Sequence, residues 1–497
     1  MNRLAASFCT VFIGLLLSAP ALAQTLYRHQ IEALPSQPQQ QALAELLADT
    51  GASVDAAQLI ATLPSGRARV SLAPMFSAQL GSWPFESLVG SGLFKVIADY
   101  QSQHPQVLRV DAGSIDLAQL ERAVANPKVL TRHKDGFLLS YPLLIGAKAA
   151  LLIEDSHLYL NSRSGAALIN LGQLRLQRSH LQSWSGATEP DQPRLFRPFI
   201  MAWAGSLTLI EHSSLTRLGY NAHLTRGLSS RRSPQQGADT GPARVLIRDS
   251  QLREMASGAE LHNALALIDN SSFDDIQQYA IDLHDSRFSL RQNRIRQVHN
   301  QSAIRIGGTS SGDVTHNLIV ASGKSAIEVV AQSGDLSLRD NLIGNSGSSG
   351  IRLQDRPAQA DGRLLLTGNL IANSHGSGID AQNISAALII GNRISASPEY
   401  AISLRNSGSQ PSEIGLFNNR LASIGKSMIR SHGVTRLQLG GNRFEELAVN
   451  QVVLAGDLLP VQSLLLETTV KLGCIARLQI AATAQASAPP PRTARCD

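Results

Sequence analysis

An all-β solenoid is the architecture this sequence predicts: a parallel β-helix preceded by a small α/β lead-in and closed by a C-terminal cap. Three observations carry the prediction. An Asn that reads as a turn residue returns every 23 to 28 residues from Asn270 to Asn442, the length of one β-helix coil. A second, offset strand of alternating residues shares that period. The texture also changes near Leu139, from mixed helical and apolar runs to short β-branched runs broken by Asn, Ser and Gly.

The chain opens with Met1–Ala23, which has the parts of a secretory signal: Arg3, the apolar stretch Phe8–Leu17 and Ala21-Leu22-Ala23 as a small-x-small cleavage site before Gln24. That apolar run falls short of the roughly 20 residues a membrane span needs, and no later stretch approaches it. The expected location is therefore the periplasm, with no membrane span. Residues 24–140 form the lead-in, with helices expected over Gln37–Ala48, Leu93–Gln103 and Asp116–Ala125, the last opening at a capping Asp.

The β-helix is expected over 141–450. One strand of each coil ends on the recurrent Asn, as in Leu267-Ile268-Asp269-Asn270, Leu290-Arg291-Gln292-Asn293, Val314-Thr315-His316-Asn317 and Leu338-Arg339-Asp340-Asn341, through to Leu439-Gly440-Gly441-Asn442. Asn tolerates left-handed turns and its amide can bond the same amide one coil on, so these positions read as structural. The offset strands are Ala280-Ile281-Asp282-Leu283, Ala303-Ile304-Arg305-Ile306, Ala326-Ile327-Glu328-Val329 and Gly350-Ile351-Arg352-Leu353, with more beyond. Strands alternate faces with period two, so each Ile points in and the residue after it points out. Residues 451–497 are the cap and tail, with Cys474 and Cys496 expected to form a disulfide in an oxidising compartment.

Composition limits the partners. The chain has 497 residues, 44 Lys+Arg against 38 Asp+Glu, and a formal charge of +6. A modest basic excess fits an acidic partner. Aromatics are only 4%, which argues against platforms that stack nucleic-acid bases. The sequence carries no Gly-rich phosphate loop, Ser nucleophile elbow or clustered Cys/His set, so no cofactor and no metal are expected. A dense Asp/Gly calcium repeat is also missing.

Stacked coils turn the outward positions into columns. One column reads Glu260, Asp282, Arg305, Glu328, Arg352, Asp380, Ser403 and Arg430, and its neighbour reads His262, His284 and Gly307. Acid, base and imidazole converge near Glu260–Arg305, on a face suited to an extended polymer. In the later coils the same alternation reads as a charge ladder that keeps a sheet face soluble. Trp184 and Trp203 are open to two readings, sugar contact or core.

The segment Tyr279-Ala280-Ile281-Asp282-Leu283-His284-Asp285 resembles the Y-G-I-D-P-H-D motif of the bacterial periplasmic mannuronan C5-epimerases, which act on alginate. Arg197-Pro198-Phe199-Ile200-Met201-Ala202-Trp203-Ala204-Gly205-Ser206 is similar to that family's R-P-F-L-x-x-W-G-G-S, and Leu218-Gly219-Tyr220 to its S-L-G-Y. The resemblance covers roughly residues 140–450 and implies a right-handed β-helix. It also implies a metal-independent inversion at C5 of mannuronate within the polymer, with other periplasmic export proteins as possible company. On this resemblance His284 is the base, Asp282 and Asp285 orient or tune it, and Tyr279 bonds a sugar or helps manage the proton. Arg305, Glu260, His262 and Arg352 are the expected substrate-binding residues.

Two departures stand out. The motif Pro is Leu283 here, and the family's carboxylate-neutralising Arg, one coil on, falls at Gly308. Arg305 is either its substitute from another place or a salt-bridge partner of Asp282. Three other functions stay open at this level. A polysaccharide lyase shares C5 proton abstraction, a non-catalytic paralogue would only bind exported polymer, and a glycoside hydrolase could draw a carboxylate pair from Glu260, Asp282 and Glu328.

Overall fold

The computed structural model describes residues 26–37, 41, 45, 53–76, 81, 83–102, 104–186, 196–237, 239–407 and 411–483. The signal segment, most of the expected helix at Gln37–Ala48, and the tail with Cys496 lie outside them.

The chain is a right-handed parallel β-helix. Each coil contributes short strands, and each strand stacks on its counterpart one coil away. The first stack includes Ile200–Trp203, Leu228–Arg231, Ala259–His262, Ile281–His284, Ile304–Gly307 and Ile327–Val330, and continues to Leu454–Gly456. A second stack runs through Ala264–Asp269, Arg287–Arg291 and Ser311–Thr315. The third is a fourteen-stranded sheet from Leu130–His133 to Arg443–Glu445. Alternation explains the core directly. Ile281, Leu283, Ile304, Ile306, Ile327 and Val329 are buried and belong to one continuous apolar column.

The Asn ladder is real, but it is displaced from the expected turn. Asn293, Asn317, Asn341, Asn369, Asn392, Asn419 and Asn442 are buried, and the amide Nδ2 of each of the first six donates to the next Oδ1 at 2.9–3.1 Å. The left-handed residue is the one before each, for example Gln292, His316, Asp340 and Asn418, at φ 52–55°. Asn270 is one of these turn residues, at φ 44°. The ladder position in its coil is Ser271, whose N–H donates to Asn293 Oδ1 at 3.1 Å.

Parallel pairing begins earlier than residue 141, because Gln106–Asp116 already pairs with Leu143–Glu154. The helix expected at Asp116–Ala125 runs Leu117–Val124. Asp116 caps it, accepting from the Gln119 N–H at 2.7 Å, and Leu117 and Leu120 enter the core. The helix expected at Leu93–Gln103 ends at Gln101.

The first described strand, Leu26–Leu34, leaves the lead-in altogether. It pairs antiparallel with Ile475–Thr483, which pairs antiparallel with Arg436–Gly440. The two ends of the described chain therefore meet at the far end of the solenoid, where Leu458, Val461 and Leu465 pack into the last coil. Cys474 is disulfide-bonded, and the assignment of Cys496 as its partner lies outside the described residues.

The rest of the lead-in clothes the outer face of the early coils. Phe85, Leu88, Leu93 and Ile97 form one buried cluster with Phe199, Met201, Trp203 and Tyr220. Met201 and Trp203 point outward from their strand, and the lead-in takes them out of water. In Leu228–Arg231 the outward Ser229 is still buried, and Arg231 is the exposed residue at the strand's end.

Candidate active site

The open face just past the lead-in holds the motif residues. Strand register places Glu260 opposite Asp282, Asp282 opposite Arg305, His262 opposite His284, and His284 opposite Gly307. The two outward columns expected from alternation are therefore present, side by side. The His262 and His284 rings stack with centroids 5.3 Å apart.

His284 is the accessible imidazole, 45% exposed at its side chain. Its Nδ1 meets Asp285 Oδ2 at 2.8 Å, so a neutral ring that gives its Nδ1 proton to the carboxylate presents Nε2 as an acceptor. The other oxygen of Asp285 accepts from the Thr309 N–H at 2.8 Å and the Thr309 hydroxyl at 3.0 Å. Burial pushes the Asp285 carboxyl up, but the Thr309 bonds and His284 outweigh it and leave it below the usual range.

Arg305 is held by Asp282. Its Nε and Nη2 donate to the two carboxylate oxygens at 2.9 and 2.6 Å, and its Nη1 donates to Tyr279 OH at 3.2 Å. Its guanidinium also lies 4.5 Å from the Tyr279 ring centroid. Burial disfavours the charged guanidinium, but Asp282 more than offsets this and raises its pKa. Of the two readings of Arg305, the geometry matches the salt-bridge partner. The Asp282 side chain is only 3% exposed while that of Arg305 is 36% exposed, so a buried carboxylate holds a guanidinium that still reaches solvent.

Around it, burial pushes the Glu260 carboxyl up, with Arg226 opposing and Asp282 adding to the rise. Glu260 accepts from Ser257 Oγ at 2.9 Å and Arg226 Nη1 at 3.2 Å. Burial pulls the His262 pKa down, so this second imidazole is neutral at neutral pH. Burial likewise raises the Tyr279 phenol, which keeps its proton.

Gly308 lies against the side chains of Asp285 and His284. A Cβ there would lie 2.3 Å from Asp285 Oδ1 and 2.9 Å from His284 Cε1. Its φ of +65° does not by itself require glycine, since Asn263 and Ala331 hold the same turn in neighbouring coils at 52° and 48°. A side chain at 308 would require the Asp285 carboxylate, now bonded to Thr309, to move.

The curated relatives and solved structures point the same way. Residues 238–386 match a family model described as right handed beta helix region, and residues 329–452 match one described as periplasmic copper-binding protein (NosD). The mannuronan C5-epimerase of Pseudomonas putida is 28% identical over 237 residues, 45% of this chain and 44% of that one. That of Pseudomonas aeruginosa is 28% identical over 259 residues, 50% of this chain and 46% of that one. Over these stretches the chain is similar in sequence to the mannuronan C5-epimerases. The matched region spans less than half the length of these curated relatives. The crystal structure of the periplasmic alginate epimerase AlgG superposes with TM-score 0.66 at 18% identity, covering 82% of this chain and 98% of that one, a likeness of fold. Among the described residues no three His, Cys, Asp or Glu side chains converge as a metal-ligand set.

Within this epimerase-like frame the expected residues divide. Tyr279, Asp282, His284, Asp285, Arg305, Glu260 and His262 share one patch. Arg352 stands apart, three strands from Asp282, beside Glu328 at 3.9 Å. Trp203 is wholly buried against Trp83, and Trp184 sits on the third sheet against His133. The second and third sequence motifs are scaffold: Tyr220 OH donates to the Ser91 carbonyl at 2.6 Å and pins the lead-in. Gly219, at φ +80°, has no room for a Cβ, which would meet the Arg226 carbonyl carbon at 2.1 Å. Sequence reasoning missed Thr309, Arg226 and Arg231. Arg231 had a readable signal, as the outward residue of Leu228–Arg231 in the row before His262.

Proposed function

We propose that this chain is a C5-epimerase of mannuronate residues within an exported, alginate-like polyuronate, acting in the periplasm among other polysaccharide export proteins. The observation that carries the reading is His284, whose side chain is 45% exposed and whose Nδ1 is engaged by Asp285, leaving Nε2 as the proton acceptor.

The chemistry follows from that arrangement. His284 Nε2 takes the C5 proton, and the electron pair left on C5 delocalises into the adjacent carboxylate. Asp285 keeps the ring oriented and stabilises the imidazolium that forms. A proton returned to the opposite face of C5 completes the inversion, with no bond between heavy atoms broken. Tyr279, which retains its proton beside Arg305, is the proton donor on this reading, and His262 and Glu260 frame the sugar. A lyase would need a group delivering a proton to the glycosidic oxygen, and a hydrolase leaves the His284–Asp285 pair without a task.

The test is proton NMR of the mature protein with polymannuronate in D₂O, beside His284→Ala. Guluronate signals carrying deuterium at C5, lost in the variant, support epimerisation and the base together. Unsaturated uronate ends would replace this reading with a lyase, and an unchanged polymer would rule out both.

A further inference from the structure

The proposed reaction leaves one requirement without a residue. When C5 loses its proton, negative charge accumulates on the uronate carboxylate, and a cation must meet it there. The family places that cation one coil after the base, where this chain has Gly308 and therefore no side chain.

Most arginines on this face already have acid partners. Arg305 is bidentate on Asp282, Arg226 bonds Glu260 at 3.2 Å and Arg352 lies 3.9 Å from Glu328. Arg430 lies over the Tyr400 ring, six strands beyond His284. Arg231 differs. It is exposed, and among the described residues it has no carboxylate partner. Its Nη1 donates to Nε2 of His223 at 2.7 Å. Burial, with Arg231 and Arg226 nearby, holds His223 in its neutral form. An imidazole acceptor therefore places the guanidinium without cancelling its charge.

Arg231 is also in the right row. Ser229 pairs with Glu260 and Ser230 with Leu261, and Ser230 Oγ donates to the His262 carbonyl at 3.2 Å. That register carries Arg231 beside His262, and His262 stacks on His284. Arg231 thus lies two rows from the base, about 10 Å along the sheet, a gap that a long guanidinium side chain and one uronate carboxylate span together. Arg231 and His223 line a cleft with Ser87 and Pro234 of the neighbouring segments.

We propose that Arg231 is the cation that receives the substrate carboxylate in this chain, from the side of the base opposite to the position lost at Gly308. The inference rests on the epimerase reading above. Proton abstraction by His284 then moves charge toward Arg231, over a neutral His262, and His223 is a positioning residue for the guanidinium.

The experiment compares wild type, Arg231→Gln, Arg231→Lys and Arg430→Gln on polymannuronate, following deuterium incorporation at C5. Arg231→Gln is expected to lower kcat by about 10²–10³-fold, Arg231→Lys to keep part of the rate, and Arg430→Gln to leave kcat unchanged. On methyl-esterified polymannuronate, which has no carboxylate charge to neutralise, the gap between wild type and Arg231→Gln should shrink to less than about tenfold. A merely structural role would not shrink it. Arg231→Gln turning over within about threefold of wild type overturns the inference and leaves the epimerase reading intact. If wild type exchanges no C5 proton, the epimerase reading fails, and calorimetry with a mannuronate oligomer decides Arg231 separately. Binding about tenfold weaker in Arg231→Gln retains it as the carboxylate site, and equal binding overturns it.

Discussion

Asp285 joins two coils through one carboxylate: Oδ2 meets His284 Nδ1 at 2.8 Å, and Oδ1 accepts the Thr309 N–H of the next coil at 2.8 Å. His284 is thereby tied to the backbone of the following turn, and its ring orientation depends on the stacking of coils. A short local motif gains its precision from a neighbour 24 residues away.

Asp285→Asn should separate orientation from basicity. The amide keeps one acceptor oxygen but loses the charge that stabilises the imidazolium, so C5 exchange falls by roughly 10²-fold, within the range for general-base effects. His284→Ala falls at least as far. Deuterium incorporation measured for both variants at one polymer concentration checks the order, and a normal Asp285→Asn rate would remove Asp285 from the mechanism.

Arg305→Gln should damage the fold before the chemistry. It strands the Asp282 carboxylate, 3% exposed, and removing the partner of a buried charge costs about 3–5 kcal/mol. The double variant Asp282→Asn/Arg305→Gln should recover much of that loss. Denaturant unfolding of the single and double variants makes the comparison, and a single variant as stable as wild type would show that the pair is dispensable.

The His262 pKa lies below its usual 6.5 because burial disfavours the imidazolium. The folded state therefore binds this proton less readily than the unfolded chain. The associated stability is fully present above pH 6.5 and is lost as pH falls through the lowered value. His262→Gln should flatten that part of the stability curve. Histidine NMR titration supplies the direct check, since a His262 midpoint at or above 6.5 would contradict the sign.

Asn341→Leu should break the ladder in both directions. Asn341 donates to Asn369 Oδ1 at 2.9 Å and to the Val314 carbonyl at 2.9 Å, and accepts from Asn317. Each buried group left unsatisfied costs about 1–3 kcal/mol, so thermal unfolding should move down by many degrees. His284 lies two coils away, and C5 exchange at a temperature where the variant remains folded should stay close to wild type.

Much of the architecture could be read before any coordinates. Ile281, Leu283, Ile304 and Ile306 announce their strands because alternation is local, and the repeated Asn announces the coil length. Errors arose where the signal was shared between adjacent positions. Asn270 resembles the ladder residues, yet it occupies the left-handed position and Ser271 takes the ladder place. Leu26–Leu34 offered no clue to its destination, since its partner Ile475–Thr483 stands at the other end of the chain. Trp203, open in the sequence to sugar contact or core, is core because the lead-in packs over Met201 and Trp203.

By itself the sequence determined the β-helix, the outward column and the grouping of His284 with Asp282 and Asp285, because each depends on neighbours in one strand or on a fixed period. Tertiary structure decided which charges are engaged and which remain available. Arg305 and Arg231 both face outward from their strands, but one is clamped by Asp282 and the other rests on a neutral His223. It also decided what stands beside residue 308, since only the stacking of two coils brings Asp285 Oδ1 to 2.3 Å from where a Cβ there would lie. Ion pairing and excluded volume are relations between coils, and they exist only once the coils have stacked.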